Sequence, residues 1–256
     1  MSYHRRNFRL YSLGKETPTL KAKKHFGQHF LTSNETAQTI VNGLGDISTQ
    51  DVLEIGPGMG IITQFMVTAA RQFKAVEIDP EAATYLEEHF EKIELIKADF
   101  LKINIRDHYQ DQFSLIGNFP YNISSQIVFK IIENTSLIER WVGMFQLEMG
   151  IRLVALPKDK KDYGILSVLV PFYYSVETIM TLPPSAFNPP PKVNSIVVKA
   201  TRRNHEFRAD PALIKHVVKT AFGQRRKTLS NSLSQIIPKE VFKTHPFSTL
   251  RPENLT

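Results

Sequence analysis

Leu115-Ile116-Gly117-Asn118-Phe119-Pro120-Tyr121 is the stretch from which the chain is best read. The apolar pair has the character of the end of a buried strand. A carboxamide, a rigid proline and an aromatic ring follow at its C-terminal edge, where open α/β sheets bind their ligands. The four residues Asn118-Phe119-Pro120-Tyr121 suit chemistry on the exocyclic amine of a flat base. The Asn118 oxygen and a neighbouring backbone carbonyl can accept the two amine hydrogens, and the Tyr121 ring can stack on the base. A tight Asn-Pro turn with Tyr121 packed for burial would use the same residues, so the tetrapeptide takes its meaning from its surroundings.

Upstream lie three more strand patterns. Residues 51–63 read as a strand, a glycine turn and a helix start. Val52 to Ile55 is near-continuously apolar except for Glu54, and glycines stand at 56, 58 and 60. A dinucleotide fingerprint would place its third glycine at 61, where Ile61 stands, and a P-loop would need Gly-Lys-Ser/Thr, which is missing. The turn therefore lets something approach the backbone without matching a phosphate cradle. Residues 73–78 form a second strand closed by Glu77 and Asp79. An acid in that place can accept both ribose hydroxyls, and Glu77 stands 17 positions beyond Gly60, near the spacing this role needs. Asp79 and Pro80 open a helix that runs to about Phe90. A third strand, 95–98, ends in Asp99-Phe100: a carboxylate for an adenine amine beside a ring edge, or a turn acid beside a core Phe.

Downstream of the fourth strand, 113–116, a helix places Ile127, Val128, Ile131 and Ile132 on one side. A fifth strand (141–146), a helix (147–156) and a charged loop (157–162) follow. Two β-rich segments, 165–174 and 195–199, are expected to pair as the last two strands. Between them, Phe187-Asn188-Pro189-Pro190-Pro191-Lys192-Val193 is stiffened by three prolines. It can hold Phe187 out as a second stacking face, or be a stiff connector with a core Phe.

The two ends differ in character. Residues 1–22 lack a hydrophobic period and are expected to form a basic flexible arm. Arg5, Arg6 and Arg9 precede no apolar segment of the kind a secretory signal carries. The Arg-rich, acid-poor composition is also that of organelle transit peptides. In 23–31, Phe26, Phe30 and Leu31 are anchors around a bend at Gly27, with Lys23 and Lys24 as basic contacts. Asn34 is the expected N-cap of a helix carrying Ala37, Ile40, Val41 and Leu44, ended by Gly45. After Arg202-Arg203 the pattern turns helical. Asp210-Pro211 starts a helix with Leu213, Ile214, Val217 and Val218. Phe222, Leu229 and Leu233 then share a face, beside the phosphate-gripping cluster Arg225, Arg226 and Lys227. The last residues carry no closing cap signal, which leaves a longer C-terminus open.

Composition bounds the function. The 256 residues are 42% apolar and 22% charged, ordinary globular values, with room for one or two domains. There is no cysteine, hence no disulfide or thiolate metal site. No apolar run is long enough to cross a bilayer, and neither a metal-ligand spacing nor a Gly-x-Ser-x-Gly nucleophile motif is present. The net charge of +7 is unevenly spread. Residues 1–31 hold seven Lys/Arg and one Glu, residues 32–191 twelve Lys/Arg and twenty Asp/Glu, and residues 192–256 thirteen Lys/Arg and four Asp/Glu. Basic ends around an acidic middle fit a polyanionic partner, nucleic acid above all.

In order, the motifs resemble those of the small-subunit ribosomal RNA adenine N6,N6-dimethyltransferases (KsgA type), from about Lys23 to Leu255. Phe-Gly-Gln-His-Phe-Leu stands at 26–31, Leu-Glu-Ile-Gly-Pro-Gly at 53–58, and the family's Asn-Leu-Pro-Tyr-Asn-Ile at 118–123 with Phe119 for the usual Leu. Gln146-x-Glu148 with Arg152, Tyr163-Gly164-x-Leu166-Ser167-Val168, the 187–195 proline stretch and Arg225-Arg226-Lys227-Thr228-Leu229 complete the series. The resemblance implies a Rossmann-like methyltransferase sheet of the α/β class over 23–203 and a small all-helical RNA-binding C-terminal domain over 204–256. It implies S-adenosyl-L-methionine as cofactor. His29 and Leu31 would close over it with Gln28 nearby, and Gly56 and Gly58 would pass close to it. Glu77 would hold the ribose with Ile78 beside it, and Asp99 with Phe100 would receive the adenine. Asn118 would lie between cofactor and target, with Tyr121 and Phe187 as catalytic stacking faces. Lys23, Lys24, Arg225, Arg226 and Lys227 would grip RNA. The implied partner is small-subunit ribosomal RNA in a 30S-type precursor, bound by a cytoplasmic monomer without a membrane. Three rivals stand beside this: a large-subunit rRNA dimethyltransferase, a ribosome-assembly checkpoint, and a mitochondrial transcription factor on the same fold.

Overall fold

The computed structural model describes residues 22, 23, 26–91, 93–204 and 209–255. Lys24 and the proposed arm, Ala22 apart, lie outside them.

The chain begins with a two-residue strand β1 (Phe30–Leu31) and helix α1 (Asn34–Asn42). The α1 cap is Ser33, whose hydroxyl accepts from the Thr36 N–H at 3.1 Å, so Asn34 is the first helical residue and not the cap expected. The helix also stops earlier, at Gly43, and Gly45 forms the left-handed turn behind it. An α/β alternation follows: β2 (Asp51–Ile55), α2 (Thr63–Ala69), β3 (Gln72–Glu77), α3 (Pro80–His89), β4 (Glu94–Lys97), β5 (Phe113–Asn118), α4 (Ser124–Glu133), β6 (Ile138–Gln146) and α5 (Leu147–Val154). Asp79 caps α3 through the Glu81 N–H, with Pro80 in the first turn as expected.

The expectation of a strand at 165–174 is corrected. That segment is helix α6 (Ile165–Tyr173), and the strand is β7 (Tyr174–Leu182). Its β-branched and aromatic residues suggested a strand, yet Leu166, Leu169, Val170 and Tyr173 recur at helical spacing and all are buried. After β8 (Phe187–Asn188), β9 (Ser195–Arg202) pairs antiparallel with both β6 and β7.

The main sheet runs β4-β3-β2-β5-β6-β9-β7, with β2 to β6 parallel. Period-two alternation sorts its side chains onto two faces. Leu53, Leu115, Trp141 and Val198 meet α4, α5 and α6 through Ile127, Ile131, Leu153 and Leu169. Val52, Ile116, Val142 and Val197 meet α1 and α2 through Ile40, Val41 and Met66. The strand order reverses between β2 and β5, which opens a crevice at their C-terminal ends.

The C-terminal helices α7 (Pro211–Gly223), α8 (Leu229–Ser232) and α9 (Lys239–Phe242) close a small core of their own around Ala221, Leu229 and Leu233. Asp210 caps α7 as its sequence announces. The α/β sheet with a helical C-terminal part is thus the architecture. Among the described residues, no helix is long and apolar enough to cross a membrane.

Candidate active site

A cavity of about 270 Å³ fills the crevice. It is lined from the ends of four neighbouring strands: Gly56 and Gly58 after β2, Glu77 and Ile78 at β3, Asp99 and Phe100 after β4, and Asn118, Pro120 and Tyr121 at β5. The segment before α1 supplies the fifth wall, with Phe26, Gly27, Gln28 and His29.

The glycine turn is left-handed at Gly56, Gly58 and Gly60, with φ of 64°, 56° and 78°. Only at Gly56 does the space where a Cβ would stand lie open, so this is where a ligand can reach the backbone. At Gly58 the same space is taken by the Phe30 ring at 2.8 Å, which seats the N-terminal segment on the turn.

Glu77 is buried and its carboxylate is already heavily used. Oε1 accepts the N–H groups of Ile78 and Asp79, both at 2.9 Å, and Oε2 accepts the Gly58 N–H at 3.1 Å. Of the roughly four lone-pair positions of a carboxylate, one on Oε2 is left for a ligand hydroxyl. Burial pushes the Glu77 carboxyl up, against these three bonds. Beneath it, Glu54 is 1% exposed and accepts from Thr63 Oγ1 at 2.7 Å. Burial lifts its pKa to about 8, the Thr63 bond lowers it and the Glu77 charge adds to the rise.

Asp99 winds the turn after β4 by accepting the Leu101 N–H on Oδ1 at 2.9 Å, with Oδ2 only 3.9 Å from the exposed Lys102 ammonium. Phe100 is buried against the cavity, and Ile78 is 47% exposed at its rim, an apolar side chain with one face uncovered.

Asn118 has a fixed orientation. Its Nδ2 donates to the His29 carbonyl at 2.7 Å. A carbonyl can only accept, so the side-chain oxygen must be the end left free. Tyr121 is half-buried with its hydroxyl 2.6 Å from Ser195 Oγ. Burial pushes the phenol up, the Ser195 bond offsetting it in part. The His29 ring stacks beside it, with centroids 5.4 Å apart at 28°, and His29 Nδ1 donates to the Pro189 carbonyl at 2.8 Å.

Four expected site residues are placed otherwise. Phe187, expected as a second stacking face, is 4% exposed, lies opposite Leu31 in the β1–β8 pair, belongs to the α1–α2 core and does not line the cavity. Leu31 shares that core and does not line the cavity. Lys23, expected as an RNA contact, is engaged within the protein: its ammonium binds Asp79 at 2.7 Å and Glu81 at 3.0 Å. Gln28 joins the same latch, donating to Asp79 Oδ2 at 3.1 Å and accepting the Lys23 N–H at 2.8 Å. Burial works to raise the Asp79 carboxyl, but Lys23, Gln28 and the Glu81 N–H outweigh it and hold it below the usual range. Arg225 is likewise committed: its guanidinium binds Glu253 at 2.5 Å and the carbonyls of Lys160 and Lys161. Arg226 and Lys227 stay exposed, in the turn between α7 and α8 and not on a helix. The Ser195 partner of Tyr121 and the Asn118–His29 bond had no sequence signal, since they join residues 74 and 89 positions apart.

Comparison with known proteins places this arrangement. A family model described as ribosomal RNA adenine dimethylase matches residues 19–253. The ribosomal RNA small subunit methyltransferase A of Bacteroides fragilis is 45% identical over 242 residues, 93% of this chain and 89% of that protein. The protein of the same name from Porphyromonas gingivalis is 44% identical, over 93% of this chain and 94% of its own. Among solved structures, a dimethyladenosine transferase from Plasmodium falciparum superposes with a TM-score of 0.76 at 25% identity, covering 89% of this chain and 93% of that one. The 23S rRNA methyltransferase ErmE follows at 0.65 and 26%, covering 88% and 96%.

Proposed function

The chain belongs to the ribosomal RNA adenine dimethylases, and from that premise we propose that it converts two adjacent adenines near the 3′ end of small-subunit rRNA to N6,N6-dimethyladenine. It is an rRNA adenine dimethyltransferase that draws its methyl groups from S-adenosylmethionine. The observation that carries the site assignment is the free Asn118 oxygen, fixed by the His29 carbonyl, in the same cavity as Gly56 and Glu77.

The residues present fit the cofactor. Gly56 leaves open space against its backbone, Glu77 keeps an acceptor for a ribose hydroxyl, and Asp99 Oδ2 keeps one for an adenine amine. The uncovered face of Ile78 suits the flat side of the base. When bound, S-adenosylmethionine supplies a methyl on a sulfonium, whose transfer to nitrogen needs only a lone pair.

The protein's own work lies on the target amine. That lone pair is delocalised into the ring, which makes the nitrogen a poor nucleophile. Hydrogen bonds from the amine to Asn118 Oδ1 and to the carbonyl of Phe119 or Pro120 favour a pyramidal nitrogen and free the pair. Tyr121 stacks on the extruded base, its ring pinned by the Ser195 bond. No strong base is required, because the methylated nitrogen is acidic enough to lose its proton afterwards. Orientation and exclusion of water are the main contributions, and orientation alone is worth up to roughly 7–11 kcal/mol.

The RNA lies across residues 204–256, with Arg226 and Lys227 on phosphates, and 23–203 forms the catalytic domain. The enzyme works as a monomer in the cytoplasm. Small-subunit over large-subunit specificity is favoured by the relatives of 44–45% identity named for the small subunit, against 26% for ErmE. The test is to incubate undermethylated small and large subunits with protein and labelled cofactor and digest the RNA to nucleosides. Labelled N6,N6-dimethyladenosine from the small subunit is expected; label confined to the large subunit would overturn the assignment.

A further inference from the structure

We propose that Lys130, a residue outside every motif above, is a positioning residue for cofactor recognition: from α4 it fixes the 99–104 loop so that Asp99 and Phe100 meet the cofactor's adenine in one geometry. This rests on the role of Asp99 given above.

The loop after β4 is wound tightly around Asp99, whose carbonyl accepts the N–H groups of Lys102 and Ile103 and whose carboxylate accepts that of Leu101. Such a turn leaves carbonyls of its own without partners inside the loop. The Lys130 ammonium donates to two of them, Phe100 and Ile103, each at 2.5 Å, and stands 5.0 Å from the centre of the Phe100 ring. A compact ammonium with three donors suits two converging carbonyls and a ring face at once.

The nearby Glu133 is engaged by Lys215 at 2.5 Å, so the loop carbonyls and not a carboxylate hold Lys130. Burial pulls the Lys130 pKa down, with the charges of Asp99 and Glu133 opposing it. The cation thus stays half out of water to hold backbone.

The helix that carries Lys130 gives the contact a second meaning. Ser124, the first residue of α4, donates to the Tyr121 carbonyl at 3.1 Å. Six residues of helix, about 9 Å of axis, separate that bond from Lys130. One rigid element therefore braces the turn that presents the target base and the loop that receives the cofactor's base.

The test is calorimetric titration of the full chain with S-adenosylmethionine and with its 6-deaminated, hypoxanthine-bearing counterpart. The proteins compared are the parent, Asp99→Ala, Lys130→Met and Lys130→Arg, each with a thermal melt. A site built to accept an N–H rejects the analogue that presents a carbonyl. The parent is therefore expected to prefer the amine, and Lys130→Met to lose about tenfold or more in affinity for the amino form. Its affinity for the hypoxanthine form should fall less, since the two bases share only the Phe100 contact, while Lys130→Arg recovers most of the preference. Lys130→Met would overturn the proposal by keeping the parental preference while Asp99→Ala abolishes it. Equal weakening of both ligands together with a lowered melt would also overturn it, by making the contact merely structural. A parental preference retained by Asp99→Ala would instead remove the reading of Asp99, and this inference with it.

Discussion

Replacing Glu77 tests whether its carboxylate binds the cofactor or only braces the glycine turn. In Glu77→Gln, one oxygen remains to serve three backbone donors. With that oxygen at the Oε1 position, the bonds from Ile78 and Asp79 survive, and the new amide nitrogen faces the Gly58 N–H across what was a 3.1 Å bond. Two donors then oppose each other in a buried place, which costs about 1–3 kcal/mol of stability. The same nitrogen replaces the one acceptor left for the ribose. The amide can still donate to a hydroxyl, so a charge-assisted bond becomes a neutral one, worth about 1–1.5 kcal/mol less. That is roughly a 5- to 12-fold rise in the cofactor Kd. Glu77→Ala removes the interaction altogether and should raise Kd by about 10- to 150-fold. Titration calorimetry with S-adenosylmethionine gives Kd, and turnover at saturating cofactor should stay within a few-fold of the parent because uniform binding is what is removed. A lowered melting temperature with an unchanged Kd in both variants would refute the reasoning and leave Glu77 as a brace for Gly58.

Three further perturbations follow from the same geometry. Asn118→Ala removes the oxygen offered to the amine and should cut kcat by about 10²–10³, the scale of one preorganised hydrogen-bonding group. Its cofactor Kd should stay nearly unchanged, and equal losses of both would contradict the role. Glu54 has its folded pKa raised from 4.5 to about 8, so the stability it contributes is fully present below the unfolded value and is lost as pH rises through about 8. Chemical unfolding at about pH 5 and about pH 8.5 should show a fall of a few kcal/mol that Glu54→Gln flattens; a parent whose stability is flat over that window would place the charge elsewhere. Charge reversal of Arg226 and Lys227 should reduce the salt dependence of RNA binding by about 0.7–0.9 in log–log slope for each phosphate they no longer neutralise. Arg225→Ala should lower the melting temperature with the slope kept, since that side chain is bound to Glu253 and the 160–161 carbonyls. The opposite pattern would return Arg225 to the RNA.

The sequence exposes what is local. The strand end before Asn118, the glycine turn at 56–60, the Asp79-Pro80 helix start and the acids Glu77 and Asp99 all depend on neighbours within a few positions, and the fold brings Asn118, Gly56, Gly58, Glu77 and Asp99 to one crevice. What it hides is who meets whom across the chain. Lys23 looks like a phosphate ligand until Asp79, 56 positions on, takes it as a partner. Arg225 looks like one until the 160–161 carbonyls and Glu253 do the same. Phe187 looks presentable on its proline-stiffened loop until β8 pairs with β1 and turns it against Leu31. The 165–174 segment shows a different failure: its composition favours strand, and only its burial period of three to four residues marks it as helix. Lys130 carries no motif at all, because its ligands are backbone carbonyls, which no sequence displays.

In the proposed mechanism one carboxamide oxygen and one phenol ring together hold a purine amine toward the methyl donor. A crystal structure of the protein with a non-reactive S-adenosylmethionine analogue and adenosine would test this most directly. The nucleoside's amine nitrogen is expected about 2.9 Å from Asn118 Oδ1, with its ring stacked on Tyr121. An ordered adenosine seated elsewhere, with the Asn118 oxygen facing only water or protein, would contradict it.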